Sequence, residues 1–532
     1  MIFESPHPPI TVPEESFSDY LLGSLGDRRD KAAFIEGPTG RVVTYGQLRD
    51  QAAAAARGLA ARGLERGGVV AICSPNLPEY ATAFHAIAMA GGCSTTLNPL
   101  STEDELVQQL NDSGARSFIT IPPLLEKARS VAKRSGIEEI IVFGEAEGAT
   151  RFSDVIRGGQ GSAVELESVG DTGEDLLTLP YSSGTTGRSK GVMLTHRNVV
   201  ANIEQISSLG LVEPDDVVIA VVPFFHIYGM VVVMSAALRV GATVVTMPRF
   251  DLEEFLRTIE RYRATCLYLV PPIVLGLAKH PVVANYDLSS VKWIMSGAAP
   301  LGEETAIACQ ERIGCRVFQG YGMTEASPVT HLCFDEDGAG DRISTVGRVI
   351  PSTEMLIVDL ESGEPLGPGE EGEIWLRGPQ VMKGYLGNPE ATAETVDAEG
   401  WLHSGDVAVA DEDGYVTIVD RAKELIKYKG FQVAPAELED VLLSHPSIAD
   451  VAVIPVPDEE AGELPKACVV RAEEVTEEAV MQYVAERVAP HKKVRAVEFL
   501  EEIPKSASGK ILRRLLVDRE RARVAADAEG AA

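Results

Sequence analysis

The most informative stretch of the chain is LLTLPYSSGTTGRSKGVMLTH, residues 176–196. Its first five residues predict a buried strand, and the next ten combine hydroxyl side chains with two glycines and one lysine. Backbone N–H groups and hydroxyls in such a loop can hold phosphate oxygens. The loop is not a Walker A motif, because Gly184 and Lys190 do not fit the spacing GxxxxGK[ST]. Composition alone leaves two interpretations open, a phosphate-binding loop and a solvated Ser/Gly loop.

The sequence around this loop alternates short β-branched runs with alanine-rich stretches. VVAIC at 69–73 follows a helix predicted over roughly 46–63, and TVVTMP at 243–248 follows another predicted helix. This alternation predicts a mostly parallel, layered α/β body. The Gly- and acid-rich segments at 144–175 and 335–343 are predicted as surface loops.

The texture of the sequence changes twice in its last third. From about residue 353, short strands such as EMLIVD and GEIWLRG are divided by turn residues and predict an antiparallel β-rich section. After Arg421 a small, separate α/β pattern begins with the helix predicted for AELEDVLLSHP. A chain of 532 residues exceeds the size of one hydrophobic core, so we expect more than one domain.

Charge and cysteine usage restrict the partners and the compartment. The formal net charge of -31 speaks against a nucleic-acid partner, although a few lysines in a cleft can still bind a triphosphate. The seven cysteines are scattered, odd in number and without CxxC spacing, which predicts free thiols in a reducing compartment. The N-terminus shows no basic region followed by an apolar run, so we expect a cytoplasmic protein without a signal peptide.

One apolar stretch imitates a membrane span. Apart from His226, the residues from Val217 to Leu238 carry no acidic or basic side chain. Pro223 and Gly229 interrupt this stretch. We therefore predict a buried strand, a turn and a buried helix, with no membrane span.

The loop at 181–190, together with GVMLTH, resembles the signature of the adenylate-forming enzymes, which include acyl-CoA ligases, luciferases and peptide-synthetase adenylation domains. The other segments that resemble this family follow in the family's order: PFFHIYG (223–229), SGAAPLG (296–302), QGYGMTEASPV (319–329), VGR (346–348), GEIWLRGPQVMKGYLGNPEAT (372–392), GWLHSGD (400–406), DRAKELIKYKGFQVAPAELE (420–439) and IPKSASGKILRR (503–514). The sequences of these motifs are most similar to those of the 4-coumarate:CoA ligase group. Ser189 is a departure, since many members carry proline there. The change leaves the loop less restricted but removes no ligand.

The resemblance implies ligation of a carboxylic acid to coenzyme A, with ATP and Mg²⁺, by way of an acyl-AMP. The carboxylate attacks the α-phosphate while pyrophosphate leaves, so catalysis depends mainly on positioning and electrostatics. The implied nucleotide-binding residues are Ser182, Ser183, Gly184, Thr185, Thr186, Lys190, Gln319, Gly320, Tyr321, Thr324, Asp406 and Arg421. Within this set Lys190 holds the departing phosphates, Tyr321 lies against adenine, and Asp406 with Arg421 binds the ribose. Glu325 is the implied Mg²⁺ ligand, because Mg²⁺ prefers oxygen donors; without the resemblance it would be interpreted as a helix-start carboxylate.

The family pattern also implies a small lid domain that rotates between two half-reactions. Lys510 matches the adenylation lysine, and Lys427 matches a lysine on the opposite face of the lid. The hinge position falls on Lys423, which divides the chain into a large N-terminal domain (1–420), a hinge (421–424) and a mobile C-terminal lid (425–532). Further implied residues are Gln432 and His226 for catalysis, with His226 as a gate that orients the carboxylate and not as a general base, and Arg249, Lys429 and Gly430 for coenzyme A.

The implied acyl pocket is mostly small and apolar, with a phenol near its base. Its residues are Tyr228, Val232, Met295, Ala298, Gly320, Ser327, Pro328 and Val329. Such a lining favours a flat aryl or aryl-propenoic acid. Val232 departs from the plant-type ligases, where Ala or Ser is usual, and its bulk is expected to shorten or narrow the pocket.

The alternative functions are a medium- or long-chain fatty-acyl ligase, a luciferase-like oxygenase and a non-catalytic acyl-AMP-binding protein. The last of these is expected to lack Lys510, Glu325 or Lys427, yet all three are present.

Overall fold

The structure is a computed structural model that describes residues 1–166, 169–182, 189–333, 342–429, 431–458, 461–506 and 509–530. Its strands form four sheets, two of nine strands and two of five. The larger sheets form the layered α/β body that the sequence pattern predicts, and the smaller sheets follow them along the chain. The predicted fold class is therefore confirmed.

The first nine-stranded sheet contains the segment that carries the phosphate-loop motif. Its order is Tyr181–Ser182, Lys190–Thr195, Leu176–Leu179, Cys93–Thr96, Val69–Ile72, Ser117–Thr120, Glu139–Val142 and Thr150–Arg151, with Gly384–Tyr385 pairing to Lys190–Thr195. From Leu176–Leu179 outward to Thr150–Arg151 the strands are parallel. The helices that accompany this sheet are Tyr45–Ala60, Pro78–Met89, Glu103–Ser113, Leu125–Ala132, Phe152–Gly159 and His196–Ser207.

The second nine-stranded sheet supplies the edge on which the candidate site lies. Its order is Arg348–Val349, Val329–Leu332, Arg316–Gly322, Trp293–Ser296, Cys266–Leu269, Val217–Ala220, Thr243–Thr246, Ala32–Glu36 and Val42–Thr44. The strands from Arg316–Gly322 to Ala32–Glu36 are parallel. The helices Phe17–Leu22, Ala237–Val240, Leu252–Tyr262, Pro271–Lys279 and Glu303–Ile313 belong to the same part of the chain.

The β-rich section predicted after residue 353 is a five-stranded antiparallel sheet. Its order is Phe3–Glu4, Glu354–Val358, Glu371–Arg377, Leu402–Ala410 and Val416–Arg421. The short helix Pro389–Thr395 lies between two of these strands in sequence. The alternating burial of Glu371–Arg377 shows why a strand forms here, since every second side chain faces the core.

The last sheet builds a smaller body with a hydrophobic core of its own, to which Leu438, Val453 and Val480 contribute. Its strands are Phe431–Val433, Ile426–Tyr428, Gly462–Arg471 and Ile448–Asp458, with Ala496–Leu500 parallel to Gly462–Arg471. The helices are Pro435–Leu443, Glu477–Ala485 and Arg513–Gly530. The predicted separate α/β pattern after Arg421 is therefore confirmed.

The apolar stretch from Val217 to Leu238 folds as a strand, a turn and a helix, as predicted. The helix is unusual, because Tyr228–Ala236 is a π-helix that continues into the α-helix Ala237–Val240. Helices of this type are rare and are frequently found at functional sites. Within the described ranges, none of the helices combines the length and apolarity that a membrane span needs. All seven cysteines are buried free thiols.

The prediction of a surface loop at 144–175 is wrong in part, because this segment contains the helix Phe152–Gly159. Gly159, at the end of this helix, allows close packing against the helix Tyr45–Ala60. A Cβ on Gly159 would lie 1.8 Å from the carbonyl oxygen of Ala54, and one on Gly58 would lie 2.1 Å from that of Val155. Most of the second predicted loop, 335–343, lies outside the described residues.

Candidate active site

The candidate site lies at the carboxyl ends of the parallel strands Cys266–Leu269, Trp293–Ser296 and Arg316–Gly322. Ligands of open α/β sheets bind at this edge, where the loops after successive strands meet. A loop from the C-terminal body docks on the same edge. A Cβ on Gly509 would lie 3.4 Å from the side chains of Val270 and Pro272. Lys510, the next residue, is thereby brought to the cleft.

A carboxylate held by two partners lies on the antiparallel sheet beside the cleft. Asp406 and Arg421 oppose each other in register on neighbouring strands. The Arg421 Nε lies 3.3 Å from one carboxylate oxygen of Asp406, and the Tyr321 hydroxyl donates to the other at 2.6 Å. The structure thus brings together three residues of the predicted nucleotide site, and the hydrogen bond from Tyr321 fixes the carboxylate.

A second cluster lies near the phosphate-loop motif. The Tyr385 hydroxyl donates to Glu325 Oε1 at 2.9 Å, and Glu325 is 4% exposed. The Lys190 ammonium lies 4.6 Å from the centre of the Tyr385 ring. Tyr385 therefore links the predicted phosphate lysine to the predicted Mg²⁺ ligand. Sequence reasoning missed Tyr385, although the quoted motif at 372–392 contains it, because the pairing of Gly384–Tyr385 with Lys190–Thr195 is not visible in local sequence.

The other residues predicted to bind the nucleotide differ in their hydrogen bonds and exposure. Ser183, Gly184, Thr185 and Thr186 lie outside the described residues, whereas Ser182 forms a short strand and accepts a hydrogen bond from Ser189 at its carbonyl. The Gln319 side chain accepts from the Leu301 N–H and donates to the Ile343 carbonyl, both at 3.0 Å. The two hydrogen bonds of the Gln319 amide thus join two separate segments of the fold. Thr324 begins the short 3₁₀ helix Thr324–Ala326 and is partly exposed.

His226 is held as a neutral imidazole. Its Nδ1 accepts the backbone N–H of Tyr228 at 3.3 Å, so the neutral ring carries its proton on Nε2. Burial and, after it, the positive charge of Lys510 lower the pKa of His226 to about 4. At neutral pH the ring is therefore a hydrogen-bond donor, which suits an orienting residue better than a general base.

Lys510 lies among charges of both signs. Burial, followed by the charge of Arg421, lowers the pKa of Lys510 to about 8, while Asp406 and Glu424 act in the opposite direction. The ammonium is therefore within electrostatic range of the carboxylate that Tyr321 and Arg421 hold. The predicted adenylation lysine therefore lies in the cleft.

The other predicted residues of the lid lie away from the cleft. Lys427 and Gln432 face each other on the hairpin formed by Ile426–Tyr428 and Phe431–Val433, and both are exposed. Lys423 is also exposed, and its neighbour Ala422 donates its N–H to the Gly405 carbonyl. The structure thus brings one of the two predicted lysines, Lys510, to the reacting site.

The predicted coenzyme A residues are spread over two parts of the fold. Arg249 is exposed and lines a surface pocket of about 140 Å³ between the strand Thr243–Thr246 and the helix Leu252–Tyr262. Lys429 is exposed in the lid hairpin at φ 49°, and its N–H donates to the Ala461 carbonyl. Gly430 lies outside the described residues.

Five of the eight predicted acyl residues, described below, lie close together. The Tyr228 hydroxyl lies 3.4 Å from the Leu269 carbonyl and 3.5 Å from the Met295 carbonyl, to which it can donate. Val232, Met295 and Val329 line an internal cavity of about 20 Å³ together with further apolar side chains. A Cβ on Gly320 would lie 2.8 Å from the Leu332 side chain and 3.0 Å from the Met295 sulfur, so this position has no room for a side chain.

The remaining acyl residues lie in conformations that L-amino acids rarely adopt. Ala298 and Ser327 have φ values of 70° and 68°, and a cis peptide bond joins Ser327 to Pro328. Among the described residues, the buried Ser327 hydroxyl has no hydrogen-bond partner. Non-glycine residues with positive φ, such as Ala298 and Ser327, are strained and are concentrated at ligand sites.

The fold and the cleft are those expected of an enzyme that binds a nucleotide. Comparison with known families supports this class. The profile described as "AMP-binding enzyme" matches residues 24–386, and the profile "AMP-binding enzyme C-terminal domain" matches residues 437–510. The chain belongs to the family of AMP-binding, adenylate-forming enzymes. The predicted identification is confirmed.

The relatives narrow the position within the family. 4-coumarate–CoA ligase 2 of Solanum tuberosum is 42% identical over 536 residues, which cover 99% of this chain and 97% of the relative. 4-coumarate–CoA ligase 1 of Petroselinum crispum is also 42% identical, over 99% of this chain and 97% of its own. Among solved structures, the anthranilate CoA ligase AuaEII in complex with anthranoyl-AMP has a TM-score of 0.88 at 28% identity and covers 97% of this chain and 99% of its own. ATP-bound MatB from Rhodopseudomonas palustris has a TM-score of 0.84 at 30% identity, with 94% and 98% covered.

Proposed function

We propose that the protein is an ATP-dependent acid–CoA ligase that activates an aryl acid as its acyl-AMP and transfers the acyl group to coenzyme A. The observation that carries this proposal is the packing of Gly509 against Val270 and Pro272, which brings Lys510 to the cleft. There Lys510 is within electrostatic range of Asp406, Arg421 and His226. The names of the plant relatives and of the anthranoyl-AMP complex support an aryl substrate.

The adenylation step depends on residues that hold charge in place. Asp406 accepts the ribose hydroxyls, and its geometry is fixed by Tyr321 and Arg421. Lys510 approaches the α-phosphate and stabilises the negative charge that grows as the acid carboxylate attacks and pyrophosphate leaves. Lys190 holds the departing phosphates together with the hydroxyls of the loop that precedes it.

The residues at Glu325 fit a magnesium ion. Tyr385 occupies one carboxylate oxygen of Glu325, and among the described residues the structure shows no hydrogen bond to the other. Mg²⁺ is commonly held by one or two carboxylates together with substrate phosphates. When bound there, Mg²⁺ neutralises phosphate charge. The buried, hydrogen-bonded carboxylate of Glu325 keeps its orientation toward the cleft.

The acid is oriented from the opposite side. His226, neutral and protonated on Nε2, donates a hydrogen bond to the carboxylate that is about to react. We propose that the acid lies against Gly320 and Ala298, with the buried side chains of Tyr228 and Val329 on either side of it. A planar acid binds there without freezing many rotatable bonds.

The second half-reaction uses a different lid orientation. We propose the division into residues 1–420, a hinge at 421–424 centred on Lys423, and a lid at 425–532. Rotation of the lid would withdraw Lys510 and present Lys427, Gln432 and the segment around Gly430 to the cleft. Lys429 and Arg249 would then bind phosphates of coenzyme A. The seven buried free thiols support a reducing, cytoplasmic location.

The substrate class is tested by a pyrophosphate-release screen over aryl acids and saturated C6–C16 acids, with and without coenzyme A. A cinnamate-type acid is expected to give a higher kcat/KM than any saturated acid of similar length. Each immobilised, rotamer-rich group costs about 0.5–1.5 kcal/mol, and a saturated C8 acid has several more rotors than cinnamate. If octanoate or decanoate exceeds every aryl acid, the aryl assignment is wrong and the pocket is a fatty-acid site.

Val232→Ala is expected to raise kcat/KM for ring-substituted or longer acids relative to the smallest accepted acid, by about tenfold or about 1.4 kcal/mol. The reason is that Val232 lines the inner cavity beside Met295 and Val329, where two methyl groups limit the space. The matched control is Val233→Ala, which truncates a buried valine of the same π-helix that does not line this cavity. An unchanged preference ratio in Val232→Ala would show that the side chain does not limit the acid.

A further inference from the structure

A single buried arginine lies at the base of the loop that carries Lys510. Arg513 is the first residue of the C-terminal helix and its side chain is 11% exposed. Its Nε donates to the Val453 carbonyl at 2.9 Å, and one Nη donates to Glu439 Oε1 at 2.6 Å. The other Nη donates to a carboxylate oxygen of Glu424. The guanidinium thus contacts a strand, a helix and the proposed hinge at the same time.

The carboxylates around Arg513 are themselves held in place. Glu439 Oε1 also accepts the Val453 N–H at 2.7 Å. Asp420, which interacts electrostatically with Arg513, accepts the N–H of Ala436 at 2.9 Å and is 7% exposed. Burial raises the pKa of both Asp420 and Glu439, and the positive charge of Arg513 acts against this rise. Arg513 therefore compensates carboxylates from both sides of the proposed hinge.

The loop of Lys510 is a short hairpin whose base ends next to Arg513. The Leu512 N–H donates to the Pro504 carbonyl at 2.8 Å, and Lys505 forms a β-bridge with Ile511. The Ser506 N–H donates to the Lys510 carbonyl at 2.8 Å. Because these bonds join the described residues 504–506 to Lys510, Ile511 and Leu512, the anchor at residue 513 controls where Lys510 lies.

We propose that Arg513 is the positioning residue that holds Lys510 in the cleft for adenylation, by tying the base of its hairpin to Glu424 of the hinge and to Glu439 of the lid. This inference rests on the proposed function. A planar guanidinium can serve three acceptors in fixed directions, whereas the ammonium of a lysine cannot reproduce this fork. A displacement of a catalytic group by about 1 Å can reduce the rate about a hundredfold.

The charge of Arg513 also acts on Lys510 in a direction that can be measured. The groups that face Lys510 are the cations Arg421 and Arg513, the carboxylates Asp406 and Glu424, and the ring of His226. Removal of Arg513 takes away a cation that lowers the pKa of Lys510. It also leaves Glu424, which raises that pKa, without its partner. Both changes raise the pKa of Lys510, so the alkaline fall of adenylation moves to higher pH.

The test compares Arg513→Lys and Arg513→Gln with Arg514→Gln in the full-length protein. Arg514 is the adjacent arginine, with a side chain 68% exposed and an ion pair to Asp518 in its own helix, and is the matched control. Single-turnover assays measure acyl-AMP formation from pH 6 to 10 and the conversion of pre-made acyl-AMP to thioester. We expect adenylation to fall about tenfold to a hundredfold in both Arg513 variants, with the thioester step within about twofold of wild type. The alkaline limb moves upward in Arg513→Gln, and Arg514→Gln leaves both half-reactions and the pH profile unchanged.

Other outcomes overturn the inference. Adenylation at the wild-type rate in Arg513→Lys and Arg513→Gln contradicts it, and so does an equal loss in both half-reactions with an unmoved pH limb, which indicates a structural role only. Thermal unfolding identifies a variant that does not fold. In that case Glu424→Gln, which keeps the other contacts of Arg513, must show the same selective loss of adenylation, and wild-type adenylation in Glu424→Gln overturns the inference. Failure of the wild-type protein to form any acyl-AMP would instead contradict the proposed function.

Discussion

Replacement of Lys510 by alanine is expected to reduce acyl-AMP formation by about 10²–10³-fold, while a pre-made acyl-AMP is still converted to thioester. The ammonium of Lys510 lies in the cleft beside Asp406 and Arg421, where charge grows on the α-phosphate during adenylation. A fixed positive charge in a site that excludes water stabilises this transition state more than it stabilises bound ATP. Single-turnover measurements of each half-reaction separate the two effects.

The same lysine predicts the pH dependence of adenylation. Its pKa is lowered to about 8, and the protonated form is the one that stabilises negative charge. As the pH rises through about 8, the free enzyme loses this proton, so kcat/KM for adenylation is expected to fall. Bound ATP adds negative charge next to Lys510 and raises its pKa, so the fall in kcat lies at higher pH than the fall in kcat/KM.

A matched lysine in the same hairpin serves as the control for Lys510→Ala. Lys505 forms an ion pair with Asp450 at 2.7 Å within the lid. Lys505→Ala is expected to keep adenylation and its pH profile. A loss of the same size in both half-reactions of Lys510→Ala would contradict a role limited to adenylation.

The sequence motifs indicate which residues meet at this cleft better than they indicate the contacts that hold those residues in place. The motifs place Asp406, Arg421 and Lys510 at the cleft. This is possible because the local sequence of each motif forms the strand or hairpin on which the residue lies. The hydrogen bonds from Tyr321 to Asp406 and from Tyr385 to Glu325 join residues 85 and 60 positions apart. No local pattern specifies such contacts, since they depend on how separate sheets pack.

Two local features show a further limit of sequence patterns. The valine-rich segment Tyr228–Ala236 is apolar all round, so its periodicity cannot distinguish a strand, an α-helix and the π-helix that forms. In the segment 144–175, Gly159 resembles a loop residue but allows the helix Phe152–Gly159 to approach the helix Tyr45–Ala60 closely. In both cases tertiary packing decides the conformation.

The contacts of the C-terminal body agree with the half-reaction that we propose for this orientation. The Lys279 ammonium donates to the Leu443 carbonyl at 3.2 Å, and Asp440 lies so close to Gly302 that a Cβ there would overlap its carboxylate. With Gly509 against Val270 and Pro272, these contacts hold the Lys510 face of the lid on the cleft. The face with Lys427 is turned to solvent, which leads to a converse expectation for that lysine.

Lys427→Ala is expected to leave acyl-AMP formation within about twofold of wild type and to reduce thioester formation from pre-made acyl-AMP by about tenfold to a hundredfold. Lys427 is exposed and lies opposite Gln432 on the lid hairpin, away from the cleft that holds Lys510. Its side chain can act on the acyl-AMP and the attacking thiol only after the lid rotates about the proposed hinge, so its loss is expected to affect the second step alone. Gln432→Ala should show the same pattern to a smaller extent, because Gln432 lies on the same face but carries no charge.

Lys492→Ala is the control, since Lys492 forms an ion pair with Glu437 within the lid. If Lys427→Ala loses adenylation as severely as thioester formation, Lys427 also acts in the orientation seen here. The two faces of the lid would then not divide the half-reactions between them.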